Sequence, residues 1–119
     1  MNHLVFSTTP YDYLAKALVS YPGFSAGEIT TKHFPDGEVY HRIVTNVEVQ
    51  SVVLIAGTID DNATMEMFDL ACGLVQQGAS ALTIVVPYFG YSTMERAVKN
   101  GEVVKAKTRA ILFSAVPVT

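Results

Sequence analysis

The stretch SVVLIAGTIDDNATMEMFDLACGLVQQGASALTIVVP, residues 51–87, decides the fold. Ser51 to Gly57 and Ala81 to Pro87 are short runs of nearly unbroken apolar residues, rich in Val and Ile. Runs of this kind read as strands buried on both faces. Between them, Asn62 to Gln77 reads as a helix. Asp60, Asp61 and Asn62 offer side-chain oxygens to cap its free amides, and Gly78 stands where a helix turns away. Met67, Phe68, Ala71, Leu74 and Val75 recur at helical spacing and form its buried stripe. A strand–helix–strand unit with two such strands implies a parallel pair joined by a right-handed crossover.

Working outward toward the N-terminus, His3 to Ser7 reads as another short buried strand. Thr9 then serves as the N-cap of a helix with Pro10 at its first position and Asp12 in its first turn. Tyr11, Leu14, Ala15, Leu18 and Val19 make its apolar stripe, and Pro22-Gly23 ends it. Ile29 to Phe34 and Val39 to Val44 are β-like runs joined by Pro35-Asp36-Gly37. Proline presets φ and glycine supplies a positive one, so a hairpin is the natural reading. On the other side, a loop runs from Tyr88 to Gly101, and a helix from about Glu102 to Ser114 is stopped by Pro117. The fold class that follows is α/β: an open, mostly parallel sheet with flanking helices and one inserted β-hairpin.

The totals narrow the function. A chain of 119 residues is one domain, or about half of a two-domain enzyme. Half of its residues are apolar, ample for a packed core. A net charge of −3 opposes non-specific binding to nucleic acid, which needs a basic face. No Lys/Arg cluster points to a membrane surface, and the longest apolar run, around Ala79 to Pro87, falls far short of the roughly 20 residues a spanning helix needs. The start, Met1 to Phe6, has no basic n-region and too little apolar length for a signal peptide. The lone Cys72 excludes an internal disulfide, fits a reducing compartment and faces the apolar stripe of its helix as core filling. The expectation is a soluble, cytoplasmic protein.

In open α/β sheets ligands sit beyond the carboxyl ends of the strands, which points to the loops Gly57 to Asn62 and Pro87 to Arg96. No P-loop and no Gly-x-Gly-x-x-Gly follows a strand. His3, His33 and His41 are too scattered for a zinc site, and no Ser occupies a nucleophile elbow. No catalytic residue and no metal ligand is therefore assigned. Three features remain, each with a plain structural reading beside the functional one. Phe34-Pro35-Asp36-Gly37-Glu38 is either a solvated hairpin tip or a stacking ring with two acceptors for an exocyclic amine. Acceptors at that place favour adenine over guanine, whose O6 would face a carboxylate. Asp60-Asp61-Asn62 is explained by capping, with orientation of Mg2+ through water as the weaker alternative. The aromatic, glycine-containing Pro87 to Tyr91 followed by Ser92 to Arg96 either covers the sheet end or presents Glu95 and Arg96 to a ligand.

At these three features the sequence resembles the ribose-phosphate pyrophosphokinase family. Phe34 to Glu38 is similar to the family's Phe-x-Asp-Gly-Glu motif, and Asp61-Asn62-Ala63-Thr64-Met65-Glu66 to its Asn-Asp-x-x-Met-Glu helix start. Val86 to Tyr91 matches the strand end before the family's ATP loop. The spacing agrees over most of the chain. The resemblance implies two halves of phosphoribosyltransferase type and a transfer of diphosphate from Mg-ATP to the 1-hydroxyl of ribose 5-phosphate, giving PRPP. It makes Phe34, Asp36 and Glu38 the adenine-side residues, with a loop Arg from a neighbouring subunit on the other face, and so implies a homo-oligomer. Where the commoner family pattern after Tyr91 is Ala-Arg-Gln-Asp, this chain has Ser92-Thr93-Met94-Glu95. Thr93 stands in the place of the stacking Arg, and Met94 in that of the Gln. Arg96, Gly101-Glu102-Val103 and Thr108 are similar to the divergent, plant-type second class, which makes Arg96 the basic contact to the nucleotide phosphates. By this resemblance residues 1–119 are the N-terminal domain, the catalytic half with the ribose 5-phosphate site lies outside this chain, and the isolated chain is inactive. A non-catalytic regulatory or oligomerisation module that accompanies a true synthetase is the alternative, and a bare scaffold domain the third.

Overall fold

The computed structural model describes residues 2–116. In chain order it contains β1 (His3–Ser7), α1 (Asp12–Val19), β2 (Phe24–Ala26), β3 (Ile29–His33), β4 (Val39–Ile43), β5 (Ser51–Ile55), α2 (Asp61–Gln76), β6 (Ala81–Val85) and α3 (Lys105–Ser114). β1, β2, β5 and β6 form a parallel sheet in the order β2-β1-β5-β6, and β3 and β4 form a separate antiparallel hairpin. The class expected from the sequence, an open parallel sheet with an inserted hairpin, is the one observed.

Strand alternation sorts the core into two layers. Leu4 and Phe6 of β1 and Val52 and Leu54 of β5 point to one face, where they meet Met67, Leu70, Ala71 and Leu74 of α2. Phe113 and Val116, in and just after α3, complete that layer, and Cys72 packs against it. Burial pushes the Cys72 thiol up, as an apolar environment disfavours the thiolate. Val5, Val53 and Ile55 point the other way, with Tyr11 and the partly buried Leu14, Ala15, Leu18 and Val19 of α1 over them. α2 begins as its sequence predicts: the Asp60 carboxylate accepts the Ala63 N–H at 2.7 Å. Met67, Ala71 and Leu74 of the expected stripe are buried, Phe68 and Val75 only partly so, and Thr64 and Leu70, which the sequence reading omitted, are buried with them.

Three expectations need correction. Thr9 is not an N-cap: Tyr11 N–H donates to the Thr8 carbonyl at 3.0 Å, so Thr9–Tyr11 is a 3₁₀ turn and α1 starts at Asp12. Proline's fixed φ and missing N–H suit that tight turn. Residues 24–26, which the sequence left unassigned, form β2 and add to the edge of β1 in parallel register, Leu4 opposite Ser25. β6 is not buried on both faces. Leu82, Ile84 and Val86 pack toward α2, whereas Ala81, Thr83 and Val85 lie exposed on the α1 side. An all-apolar run shows only that a strand is able to be covered twice, and α1 packs over β2, β1 and β5 rather than over β6. Finally, α3 starts at Lys105 rather than Glu102. The Glu102 carboxylate instead accepts the amides of Val98 and Lys99 and closes a turn. Pro117, expected to stop α3, lies outside the described residues.

Candidate functional site

The carboxyl ends of the strands carry two groups of chemistry-bearing residues. The first is the hairpin. Phe34 N–H donates to the Glu38 carbonyl at 2.9 Å and Gly37 N–H to the Phe34 carbonyl at 3.0 Å. Asp36 Oδ1 accepts the Glu38 N–H at 2.9 Å, an Asx-type closure. Gly37 has φ +94°, the left-handed region that this turn demands. The turn thus holds the Phe34 ring, 46% exposed, beside one carboxylate already engaged at one oxygen and a second, on Glu38, that is solvated. Beneath the hairpin lies a groove of about 480 Å³ between β3–β4 and the start of α2, lined among others by His33, His41, Asp60, Glu66 and Asp69. Its lining carries these three carboxylates and two imidazoles beside Val39, Ile59 and Met65, and no Lys or Arg, a poor seat for phosphate.

The second group is the loop after β6. Thr58, fully buried, holds its beginning twice: Thr58 N–H donates to the Tyr88 carbonyl at 3.0 Å, and its hydroxyl accepts the Gly90 N–H at 2.6 Å. Glycine is required at position 90, since a Cβ there would fall on the Thr58 carbonyl oxygen. Tyr91 follows in the left-handed region with φ 64°, uncommon for a residue with a side chain. Its carbonyl accepts the Met94 N–H at 2.8 Å, and Ser92–Met94 forms a 3₁₀ turn that presents Thr93, with Glu95 and Arg96 exposed just beyond.

Behind this loop is a cluster that local sequence did not reveal. Asp61 Oδ1 accepts from Arg109 Nη2 at 2.7 Å and from the Tyr91 hydroxyl at 3.1 Å. The Arg109 guanidinium lies over the Tyr91 ring, 4.2 Å from its centroid, and Lys105 Nζ is 5.1 Å from the same ring. The Arg109 and Tyr91 hydrogen bonds hold the Asp61 carboxyl below the usual carboxylate range. Asp61 and Arg109 are 48 positions apart, so no spacing rule joins them. The only local signal was Asp61's place beside a helix cap, already explained by Asp60.

Phe34, Asp36 and Glu38 therefore share one turn, whereas Thr93 lies in the 3₁₀ turn of the loop after β6 and Arg96 just beyond it. Among the described residues, clefts of about 440, 480 and 330 Å³ are present, and none of these is lined by Phe34, Asp36, Glu38, Thr93 or Arg96. Among the described residues no three His, Cys, Asp or Glu side chains are grouped to hold a metal ion. Among the described residues no helix is long and apolar enough to cross a membrane.

Fold and site together define a phosphoribosyltransferase-like α/β unit with a hairpin set over the carboxyl end of its sheet. The solved phosphoribosylpyrophosphate synthetase from Mycobacterium smegmatis superposes with a TM-score of 0.88 at 18% identity, over 99% of this chain and 40% of that one. The hypoxanthine phosphoribosyltransferase from Trypanosoma cruzi superposes at 0.54 and 15% identity, over 87% and 57%. The family model for the N-terminal domain of ribose phosphate pyrophosphokinase matches residues 3–116, and the chain belongs to that family. Similar relatives include ribose-phosphate pyrophosphokinase 2, chloroplastic, of Oryza sativa, 33% identical over 92% of this chain and 28% of the relative. The ribose-phosphate pyrophosphokinase of Methanothermobacter thermautotrophicus is 40% identical over 73% and 31%. This chain spans about a third of the length of these relatives.

Proposed function

We propose that this chain is the nucleotide-side, N-terminal part of a ribose-phosphate diphosphokinase, which moves diphosphate from Mg-ATP to the 1-hydroxyl of ribose 5-phosphate. The observation that carries the reading is the Phe34 turn: an exposed ring fixed by two backbone hydrogen bonds beside the Asp36 and Glu38 carboxylates. Stacking on the ring and acceptance of the exocyclic amine would hold adenine. The groove under the hairpin, lined by carboxylates and by no Lys or Arg, would disfavour the triphosphate, which would extend instead toward the loop that carries Thr93 and Arg96. Arg96 would supply the positive charge there. The described residues offer no acidic cage, so Mg2+ would ride on the nucleotide's phosphates. Diphosphoryl transfer depends on positioning and charge neutralisation. The ribose 5-phosphate site would come from the remaining part of the enzyme, and the second face of the adenine from another copy of the chain.

Calorimetric titration with ATP tests this. Weak binding is expected, with Phe34→Ala raising the dissociation constant about tenfold, as the loss of one stacked base gives. An unchanged constant would remove Phe34 from the site. The second reading, a non-catalytic module that joins a true synthetase, rests on Thr93 and Met94 standing where the commoner pattern has Arg and Gln. It requires that the chain co-sediment with such a synthetase without adding PRPP-forming activity.

A further inference from the structure

The Arg109 cluster carries more than its two hydrogen bonds. We propose that Arg109, acting through Asp61 and Tyr91, is a positioning residue that sets the conformation of residues 91–96, and with it the place of Thr93 and Arg96. Its consequence for nucleotide binding rests on the reading above, whereas its consequence for the loop does not.

An ordinary surface ion pair leaves both partners in water and contributes little. Here the partners are unlike: the Arg109 side chain is 17% exposed and that of Asp61 69%. Arg109 Nε is buried without a hydrogen-bond partner, while Nη2 reaches Asp61 and Nη1 the neighbouring Thr108 hydroxyl. The guanidinium forgoes a bond at Nε and sits over the Tyr91 ring, its Cζ 4.2 Å from the centroid. Only a planar cation stacks on an aromatic face and donates sideways to a carboxylate at once, and lysine lacks that plane.

What this stack holds is a strained residue. A non-glycine backbone in the left-handed region persists where its surroundings over-determine it. Tyr91 is gripped on its ring by Arg109, at its hydroxyl by Asp61, and just upstream through the Gly90 amide by Thr58. Its carbonyl then receives the Met94 amide and starts the turn that presents Thr93. Downstream, the Glu102 carboxylate gathers the Val98 and Lys99 amides. Arg96 sits exposed between these two anchors. Releasing Arg109 frees the upstream anchor without removing any atom from the loop itself.

The test uses the full 119-residue chain with Arg109→Met, Arg109→Lys and Tyr91→Phe. Native-state tryptic cleavage after Arg96 and Lys99 is followed by mass spectrometry against cleavage after Lys16, on the far face of the sheet, and ATP affinity is measured alongside. Arg109→Met is expected to speed cleavage after Arg96 and Lys99 about fivefold with Lys16 unchanged, and to weaken ATP by a similar factor, as losing one stacked, paired cation would. Arg109→Lys, which keeps the charge, should restore neither. Should Arg109→Met fail to fold, Tyr91→Phe, which removes only the hydroxyl bonded to Asp61, still shows a smaller selective rise. Equal acceleration at Lys16, full rescue by lysine, or unchanged cleavage after Arg96 overturns the proposal. Selective loop opening with ATP affinity unchanged, in a chain where Phe34→Ala does weaken ATP, supports the clasp and overturns its link to the nucleotide. Selective opening in a chain that binds no ATP supports the clasp and overturns the proposed function instead.

Discussion

Asp60 and Asp61 are adjacent, chemically identical and employed differently. Asp60 turns its carboxylate onto the Ala63 amide and starts a helix, whereas Asp61 turns outward and receives Arg109 and Tyr91. The groups facing Asp61 are Arg109 and Lys105 of α3 and the Tyr91 hydroxyl. All favour its charged form, so its folded pKa lies below the ordinary value. The sign follows: the contribution is fully present above the unfolded Asp pKa of about 3.9 and is lost as pH falls through the lower folded value. The clasp should therefore be intact at neutral and mildly acidic pH and open only in strong acid. Carboxyl-carbon NMR is expected to show Asp61 titrating below an unstructured aspartate, with Arg109→Met returning its midpoint upward. A midpoint that ignores the substitution would mean that the ion pair does not form in solution.

At the scale of elements, α2 joins the layers. Met67, Leu70, Ala71 and Leu74 are its buried face, set against Val52 and Leu54 of β5 and Leu4 and Phe6 of β1. Leu74 is fully buried, and Leu74→Ala should cost about 2–5 kcal/mol in urea unfolding, since the close-packed strands beneath cannot collapse into the space. Val75, only partly buried on the same helix, should cost clearly less as Val75→Ala. Equal losses would contradict the observed face. The hairpin behaves differently: every side chain from Thr31 to Tyr40 is exposed, so substitutions there should spare stability while changing what the turn binds.

Among the described residues, two exposed surfaces bear on association. One is the row Ala81, Thr83 and Val85 on the open side of β6, and the other is the hairpin with Phe34, Val39, Tyr40 and Val44. Isolated apolar side chains on a surface are ordinary, but a row along an edge strand together with an exposed hairpin favours association. The chain is expected to self-associate as its concentration rises in sedimentation velocity, and a sharp monomer at high concentration would count against an adenine pocket shared between copies. Because the chain spans about a third of the relatives it matches, it is also expected to form no PRPP from ATP and ribose 5-phosphate alone. Steady, ribose 5-phosphate-dependent AMP release by the pure chain would overturn that assignment.

Local pattern by itself determined the parallel α/β class, the cap and buried stripe of α2, the hairpin with its Pro35-Asp36-Gly37 turn, and the loops at the carboxyl ends of the strands. Each of these depends on neighbours within a few positions, where periodicity and turn chemistry act. The motifs from Phe34 to Tyr91 carried the family, which the profile over residues 3–116 bore out. Tertiary structure alone decided the rest: that β2 finds β1, that β6 keeps one face open, and that Arg109 crosses 48 positions to Asp61 and lies on Tyr91. Those outcomes turn on which surfaces meet once the sheet has formed. A cation in a helix looks the same in sequence whether it points into water or clasps a strained tyrosine.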